Sequence, residues 1–375
     1  MTASHLDWAL RRPTRRMSDT IAVARVICIT GMVYAHAWTG LNYAHLVEAA
    51  HTAQGVLRWQ LMEFLGRSAV PLLSIVAGWL AASSALNQNW GSFAANKART
   101  VLTPMLLWNG LSIAIVGGLA FGGLLAAPAP REWLWTIEEL FAFTQPNDIN
   151  VQMPFLRDLF VCMLFVPFLV RLPSWALLGV LGVALTWSIT EFQFVLLLRP
   201  SILVFLLIGI LARRGDLAEK VAAKPIALLA MLFVATACLK AWVMYGAGPL
   251  PRPAHASADL VLRLGAAAFF WRLAWAISES KFAERVKALE PYMFLLFCSH
   301  MIMIWLFGPL IGLVTGPLGS PLYPVFLIAQ PFLVLGGTIL LGNALAQVAP
   351  NAAQVLSGGR MGAAQTSKAA ARQGA

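Results

Sequence analysis

Apolar runs long enough to cross a lipid bilayer recur along the whole chain, separated by short polar segments. A spanning helix needs about 20 mostly apolar residues. By this criterion the predicted spans are 20–41, 64–86, 101–127, 153–171, 174–190, 194–212, 225–245, 259–278, 291–313 and 322–348. The fifth and sixth spans are the least regular, because Glu191, Arg199 and Pro200 interrupt that region. The pattern predicts an all-α, polytopic membrane protein with about ten transmembrane helices around a central polar cavity.

The composition supports a membrane protein. Of the 375 residues, 59% are hydrophobic and 11% are charged, whereas about a quarter of the residues in a soluble domain are charged. The formal net charge is +11, but the basic residues lie mainly between the apolar runs. Because cytoplasmic loops that face anionic lipid have this pattern, the predicted partner is membrane lipid and not nucleic acid.

Neither a metal site nor a disulfide framework is predicted. His45, Glu48 and His51 lie close together in the first outer loop, but such histidines are expected to be solvated loop residues, so no metal is expected there. The cysteines are scattered within apolar stretches, which indicates small buried side chains and not zinc ligands. They are Cys28, Cys162, Cys238 and Cys298.

The distribution of Lys and Arg predicts the orientation, because these residues accumulate in cytoplasmic loops. With the N-terminus inside, the outer loops contain only Arg58, Arg131 and Arg252, and all other loop and tail cations are cytoplasmic. An even number of spans then places both termini in the cytoplasm. The segment "RRPTRR" (11–16) before an apolar run also resembles a secretory signal, but Arg25 inside that run favours an uncleaved first helix.

The chain contains no internal repeat and one predicted membrane domain. A basic cytoplasmic tail covers 1–19 and the transmembrane domain covers 20–348. The small, polar and basic residues of 349–375 predict a disordered cytoplasmic tail. The longest outer stretch, 128–152, contains Trp and several carboxylates. It suits an interfacial helix or lid, or a solvated connector that its Trp side chains anchor at the membrane surface.

Two polar residues stand out in the first apolar run, which includes "RVICITGMVYAHA" at 25–37. Arg25 and His36 are eleven positions apart. On an α-helix this spacing corresponds to about 1100°, or three turns plus roughly 20°, and to about 16 Å along the axis. Both side chains are therefore expected on one helix face, where they can contact the two ends of an elongated ligand. In the predicted orientation Arg25 lies toward the cytoplasm.

Further cations interrupt the apolar runs and need a protein or aqueous environment. An ionised group at the bilayer centre costs at least about 2.5–3.5 kcal/mol. For Lys240, Arg263 and Arg272, structural ion pairs and extension of the side chain to the membrane interface are both consistent with the sequence. Besides Arg25, the full set is Arg67, Arg157, Arg199, Lys240, Arg263 and Arg272.

Several motifs in a fixed order resemble one known family. The Arg-x10-His pair of the first span is followed by "RSAVPLLSIVAGWL" (67–80) and "KARTVLTPMLLW" (97–108). The later motifs are "PFLRDLFVCMLFVPFLV" (154–170) and "YMFLLFCSHMIMIWLF" (292–307). Together they resemble the acyltransferase-3 family of integral membrane acyltransferases, of the carbohydrate O-acetyltransferase type, and the resemblance covers about residues 20 to 345.

The resemblance implies a membrane enzyme that moves an acyl group, by default acetyl, from cytoplasmic acyl-CoA to a hydroxyl of a carbohydrate. The acceptor would be a surface or exported glycan or its lipid-linked precursor, and the location a bacterial cytoplasmic (inner) membrane. Acyl-CoA, by default acetyl-CoA, is the implied co-substrate. No C-terminal SGNH hydrolase-like domain follows, so this domain or a separate partner is expected to complete the transfer.

The residues suit that chemistry. His36 is the candidate general base, because a neutral imidazole can take a hydroxyl proton near pH 7; a covalent acyl-His intermediate is the alternative. Arg25 is expected to act in catalysis and to hold CoA phosphate or carbonyl oxygen through its fork of donors. Lys97 and Arg99 in an inner loop suit the CoA phosphates, although ordinary cytoplasmic cations have the same pattern.

Four residues are candidates for acceptor binding. Arg67 precedes the second span on the outer side. Arg157 and Asp158 are adjacent, so on a helix they point about 100° apart, and Asp158 is expected either to pair with a basic residue elsewhere or to contact substrate. His300, in the ninth span, either lines the cavity or is a buried histidine with its hydrogen bonds satisfied.

Two other functions remain open at this stage. In a transporter or flippase, the buried Arg and His residues would form a substrate or proton pathway, although the two halves show no matching broken segments. An acyltransferase of another multi-spanning family is a third hypothesis, which the position of His36 in the first span disfavours. The sequence leaves open the acceptor, the choice between acetyl and a succinyl or longer acyl group, and the oligomeric state.

Overall fold

A computed structural model describes residues 12–36, 51–86, 89–192 and 194–361. The described residues form helices, with one isolated bridge between Phe194 and Leu197. The helices are α1 Arg15–Met32, α2 Ala53–Gln60, α3 Ser68–Leu86, α4 Trp90–Lys97, α5 Thr103–Ser112, α6 Gly118–Phe121, α7 Trp133–Phe141, α8 Pro154–Leu169, α9 Ser174–Thr190, α10 Ser201–Arg214, α11 Leu217–Ala222, α12 Ile226–Tyr245, α13 Arg252–Ser278, α14 Ala283–Lys287, α15 Glu290–Thr315, α16 Tyr323–Val348 and α17 Pro350–Leu356.

Wider or tighter turns extend several of these helices without a break. A 3-10 turn, Val33–His36, follows α1. The π-helical segment Leu61–Arg67 joins α2 to α3, and Ala98–Leu102 joins α4 to α5. A third π segment, Ile113–Gly117, joins α5 to α6.

The all-α, polytopic architecture predicted from the sequence is confirmed. Among the described residues, seven helical stretches have the length and composition of membrane spans. They are Arg15–His36, Ala53–Ala85, Trp90–Phe121, Ile226–Tyr245, Arg252–Ser278, Glu290–Thr315 and Tyr323–Val348.

Two of the remaining predicted spans, 153–171 and 174–190, coincide with the shorter helices α8 and α9, whereas α10 begins at Ser201 and 194–200 of the sixth predicted span is not helical. Glu191 ends α9 in the left-handed region, with φ 52°, and Pro200 immediately precedes α10. A proline cannot donate the backbone hydrogen bond that would continue a helix through this point. The interruption that Glu191, Arg199 and Pro200 predict is therefore present as a break between two helices.

The chain divides into two compact units, each made of several segments. Unit 1 contains Met1–Cys28, Arg67–Lys97 and Asp158–Ala288. Unit 2 contains Ile29–Gly66, Ala98–Arg157 and Leu289–Ala375.

Within unit 1, helices α3 and α10 make the tightest backbone contact. A Cβ atom on Gly78 would overlap the carbonyl oxygen of Leu206, and one on Gly209 would overlap that of Ile75. The two glycines therefore allow the backbones to approach more closely than any side chain would permit. Small residues have this role at many helix contacts in membranes, where van der Waals packing drives association.

Two of the cations that interrupt the apolar runs of unit 1 share one carboxylate. Asp259 of α13 lies 3.6 Å from the Lys240 ammonium and 2.6 Å from Nε of Arg263. These two cations therefore form structural ion pairs. Arg272 instead donates through Nε to the carbonyl of Lys224, at 2.9 Å, and is partly buried.

The C-terminal segment differs from the sequence prediction of a disordered tail from residue 349. Within unit 2, α17 follows α16 directly, and Trp108 donates through Nε1 to the carbonyl of Leu356 at 3.0 Å. Gly358, at φ 60°, lies against the carbonyl of Thr100, and the Arg360 guanidinium lies 4.0 Å from the ring centre of Phe294. The composition of the segment does not indicate this docking, because the contacts are made by a backbone carbonyl, a glycine and an arginine and not by a run of apolar side chains.

We predict that Gly209→Ala destabilises the protein. The added methyl overlaps the carbonyl of Ile75, so α3 and α10 must move apart; overpacking of this kind costs about 1–3 kcal/mol. The measurement is the thermal unfolding midpoint in detergent. The matched control is Gly179→Ala in α9, where no atom lies within 4 Å of the new Cβ. Equal midpoints for Gly209→Ala and wild type would contradict the packing described.

We also predict that deletion of 350–375 lowers the thermal midpoint, whereas deletion of 362–375 does not. The longer deletion removes the carbonyl that accepts the Trp108 indole hydrogen bond and the cation over Phe294. Loss of a buried hydrogen-bond partner costs about 1–3 kcal/mol. Equal midpoints for the two deletions would show that the segment does not stabilise unit 2.

Candidate active site

Two histidines that are far apart in the sequence meet within unit 2. The ring centres of His36 and His300 are 5.2 Å apart, and the ring planes are inclined by 43°. His36 ends the 3-10 turn after α1, and His300 lies in α15. The structure therefore brings together the candidate base and one of the candidate substrate-binding residues.

Close backbone packing positions His36. A Cβ atom on Gly66 would come within 2.6 Å of the backbone nitrogen of Ala35, and one on Gly31 within 3.0 Å of the Leu65 carbonyl oxygen. On the other side, the Tyr34 hydroxyl donates to the carbonyl of Ile328 in α16 at 3.1 Å. The turn that contains His36 is therefore held by the π-helical segment Leu61–Arg67 and by α16.

The hydrogen bonds of His300 assign its tautomer. Nδ1 lies 3.1 Å from the carbonyl oxygen of Leu296 and 2.9 Å from that of Phe297. Both are acceptors, so the proton lies on Nδ1 and Nε2 has a free electron pair. The residue is 0% exposed, and Nε2 has no hydrogen-bond partner within the part of the chain that the structure describes. His300 is therefore a buried imidazole whose Nε2 can accept a hydrogen bond.

A second polar cluster in unit 2 is organised by Glu139 of α7, which is 2% exposed. Its carboxylate accepts backbone N–H bonds from Asp148 at 2.6 Å, Ile149 at 3.0 Å and Asn150 at 3.3 Å. Burial raises the pKa of Glu139, and these hydrogen bonds partly oppose that shift. The segment from 142 to 153, which we name the inner strap, is thereby folded onto the rest of unit 2.

The inner strap places two amide side chains in the interior of unit 2. Asn150 donates through Nδ2 to the Trp108 carbonyl at 3.2 Å and to Oδ1 of Asn109 at 3.4 Å. Gln152 donates through Nε2 to the carbonyl of Phe297 at 3.4 Å. Since His300 bonds the same carbonyl, Gln152 and the histidine pair are neighbours. The outer stretch predicted over 128–152 thus contains the helix α7 followed by most of the strap.

The adjacent residues Arg157 and Asp158 contact different parts of the chain. Arg157 donates to the carbonyl of Phe143 at 3.1 Å, at the start of the inner strap within unit 2. Asp158, fully buried in unit 1, accepts backbone N–H bonds from Leu198 at 3.3 Å and Arg199 at 2.7 Å. Asp158 therefore anchors the turn before α10 and satisfies its backbone donors.

The remaining candidates are cations in different surroundings. Arg25 is partly buried on α1, and Arg67 is exposed; both belong to unit 1. Lys97, also in unit 1, lies with its ammonium 5.2 Å from the ring centre of Phe93. Arg99 is exposed in unit 2, next to Thr100, whose carbonyl contacts Gly358. The same-face relation of Arg25 and His36 assumed uniform α-helix, which gives way to a 3-10 turn after Met32.

No group of His, Cys, Asp and Glu within the described ranges could hold a metal ion; His45 and Glu48 lie outside those ranges. The sequence indicates Glu139 only as one of several carboxylates in the outer stretch 128–152, and it indicates no role for Asn150 or Gln152. A usable signal was present, because Gln152 directly precedes an apolar run. Its contact with Phe297, however, joins residues 145 positions apart.

Comparison with known proteins identifies the family of the chain. Residues 19–342 match the family described as "Acyltransferase domain". The chain belongs to the acyltransferase-3 family. It is also 30% identical over 363 residues, covering 92% of this chain and 94% of the relative, to the succinoglycan biosynthesis protein ExoH of Rhizobium meliloti (strain 1021). No solved structure matches significantly. Both His36 and His300 lie within the matched family region.

We predict that Glu139→Ala loosens the inner strap. Three backbone N–H groups lose their acceptor, and each unsatisfied buried donor costs about 1–3 kcal/mol. Hydrogen–deuterium exchange of 142–153 in detergent should therefore accelerate. Glu132→Ala is the matched control, because Glu132 is an exposed carboxylate that directly precedes the same helix. Unchanged exchange in Glu139→Ala would contradict the role of Glu139.

Proposed function

We propose that this membrane acyltransferase is an O-acyltransferase that uses cytoplasmic acyl-CoA, by default acetyl-CoA, to esterify a hydroxyl of an exported carbohydrate or its lipid-linked precursor. The observation that carries the proposal is the approach of the His36 and His300 rings, whose centres are 5.2 Å apart. Membership of an acyltransferase family supports the reaction class, and the relative named for succinoglycan biosynthesis supports a polysaccharide acceptor.

The histidine pair suits proton transfer from a hydroxyl. His36, as general base, takes the acceptor proton while the acceptor oxygen forms a bond to the thioester carbonyl carbon. The carbon–sulfur bond then breaks, and the CoA sulfur leaves and takes up the proton. Two imidazolium ions with ring centres 5.2 Å apart would repel each other. Because His300 is neutral, His36 can carry a proton during the reaction without this repulsion.

Three cations are assigned to binding the acyl-CoA donor. In the orientation with both termini in the cytoplasm of a bacterial inner membrane, Arg25 and Arg99 lie toward the side where acyl-CoA enters. The fork of donors on each guanidinium matches phosphate oxygens, and Lys97 adds a third cation near Arg99 in the sequence. We assign these three residues to the donor, and Arg67 to the acceptor side.

Two residues act on the acceptor side indirectly. Arg157 holds the start of the inner strap through Phe143, and Asp158 holds the turn before α10. Because neither contact requires a ligand, both residues are assigned to positioning. Substitution at either is expected to alter protein stability together with activity.

The test is acyl-CoA turnover by the purified protein in detergent, with base-treated succinoglycan fragments as acceptor. We expect His36→Ala to lower CoA release at least about 100-fold, the scale of a lost general base, while acyl-CoA binding persists. Arg25→Ala should instead weaken acyl-CoA binding about tenfold or more, because a charge-assisted hydrogen bond is lost. The matched control is His51→Ala, which removes an exposed histidine.

Equal turnover by wild type and His36→Ala would remove His36 from the mechanism. Wild-type protein that neither binds nor hydrolyses acyl-CoA would overturn the enzyme assignment. Uptake of the glycan fragments into sealed vesicles without acyl-CoA would support a transporter instead. Monodispersity in detergent must be equal among the variants.

A further inference from the structure

The inner strap and α15 contain several buried polar atoms that have no hydrogen-bond partner among the described residues. Among the described residues, the atoms without a hydrogen-bond partner include Nε2 of His300, Oε1 of Gln152, and the Oδ1 atoms of Asn150 and Asn147. Buried polar atoms normally have partners, so each exception calls for an explanation. His300 and Asn150 are 0% exposed, and Gln152 and Asn147 are 3% exposed.

All four of these atoms are acceptors, and the geometry assigns them as such. The amide nitrogens of Gln152, Asn150 and Asn147 each point at a backbone carbonyl, of Phe297, Trp108 and Glu139 respectively. Exchanging nitrogen and oxygen in any of these amides would place two acceptors against each other. For His300, the same logic puts the proton on Nδ1. A ligand for this cluster must therefore supply hydrogen-bond donors.

The four acceptors carry no formal charge, which favours a neutral ligand that supplies hydrogen-bond donors. The carboxylate of Glu139, which holds the strap, already accepts three backbone N–H bonds. The four acceptors are uncharged amides and an imidazole. Apolar surface is supplied by Phe297, which lies 5.6 Å from Phe155 between ring centres. Hydroxyl groups on a carbon ring combine uncharged donors with apolar C–H faces.

We propose that Gln152, Asn150 and His300 form the binding subsite for the polyol acceptor, with Gln152 contributing specificity for a hydroxyl. Gln152 and His300 bond the same carbonyl oxygen of Phe297, so a sugar hydroxyl held by Gln152 Oε1 lies beside the His36–His300 pair. Asn150 binds a neighbouring hydroxyl two residues along the strap. This inference rests on the proposed function and names the residues that recognise its acceptor.

The experiment compares Gln152→Met with wild type in the transfer assay, with base-treated succinoglycan fragments and, separately, glycerol as acceptors. Methionine keeps the length of the side chain and removes the acceptor atom together with the Nε2 donor to the Phe297 carbonyl, which His300 still bonds. We expect the acceptor KM to rise on the order of tenfold, the scale of one lost hydrogen bond to a buried polar group. The acyl-CoA KM and the acceptor-independent hydrolysis of acyl-CoA should stay within about twofold. A structural role alone would change all of these values together.

Gln54→Met is the matched control. Gln54 also belongs to unit 2, but its Nε2 donates to the Ser320 carbonyl at 3.0 Å and its Oε1 accepts from the Gly319 N–H at 2.7 Å. Both polar atoms are thus used inside the protein, and the acceptor KM should not change. If Gln152→Met does not fold, Gln152→Asn keeps the amide but withdraws it by one methylene, and the same rise in acceptor KM is expected.

The outcomes separate this inference from the proposed function. An unchanged acceptor KM in both Gln152 variants, with active wild type, overturns the subsite. Wild-type protein that hydrolyses acyl-CoA but transfers the acyl group to neither the glycan fragments nor glycerol also overturns it. A failure of wild type to bind or turn over acyl-CoA instead overturns the proposed function. A selective rise in acceptor KM supports both.

Discussion

The carbonyl oxygen of Phe297 links the two halves of the candidate site. It accepts a hydrogen bond from Nδ1 of His300 and another from Nε2 of Gln152. A buried polar group without a partner is costly in a protein and more so within a bilayer. Together with the Leu296 carbonyl, this oxygen sets the tautomer of His300, and it orients the amide of Gln152. Within the described residues, Nε2 of His300 and Oε1 of Gln152 therefore remain available as acceptors.

The geometry around that carbonyl depends on close backbone packing elsewhere in unit 2. Gly31 and Gly66 let the turn of His36 approach the π-helical segment Leu61–Arg67 to a distance that a larger residue would prevent. Glu139 similarly pins the inner strap through three backbone N–H groups. A rigid framework of this kind keeps the polar atoms fixed, and preorganised polar groups are more effective in catalysis than mobile ones.

The sequence predicts most of the helices well, because helices depend on local information. Hydropathy alone places α12 and α16 within a few residues, and His36 is conspicuous as a polar residue in an apolar run. The contact of His36 with His300 joins the first and ninth predicted spans, and no local pattern encodes such a pairing. The docking of α17 was missed for a related reason, since its partners Trp108 and Phe294 lie far away in the chain.

Charge distinguishes the residues assigned to the acyl-CoA donor from those assigned to the carbohydrate acceptor. An acyl-CoA donor carries several negative charges, which suit guanidinium and ammonium groups such as Arg25, Arg99 and Lys97. A carbohydrate hydroxyl is neutral and gives up a proton, which suits uncharged acceptors such as Gln152 and the imidazole pair. A cation among those acceptors would discourage protonation of His36. The absence of charge among these acceptor atoms is therefore as much a part of the proposed chemistry as the cations assigned to the donor.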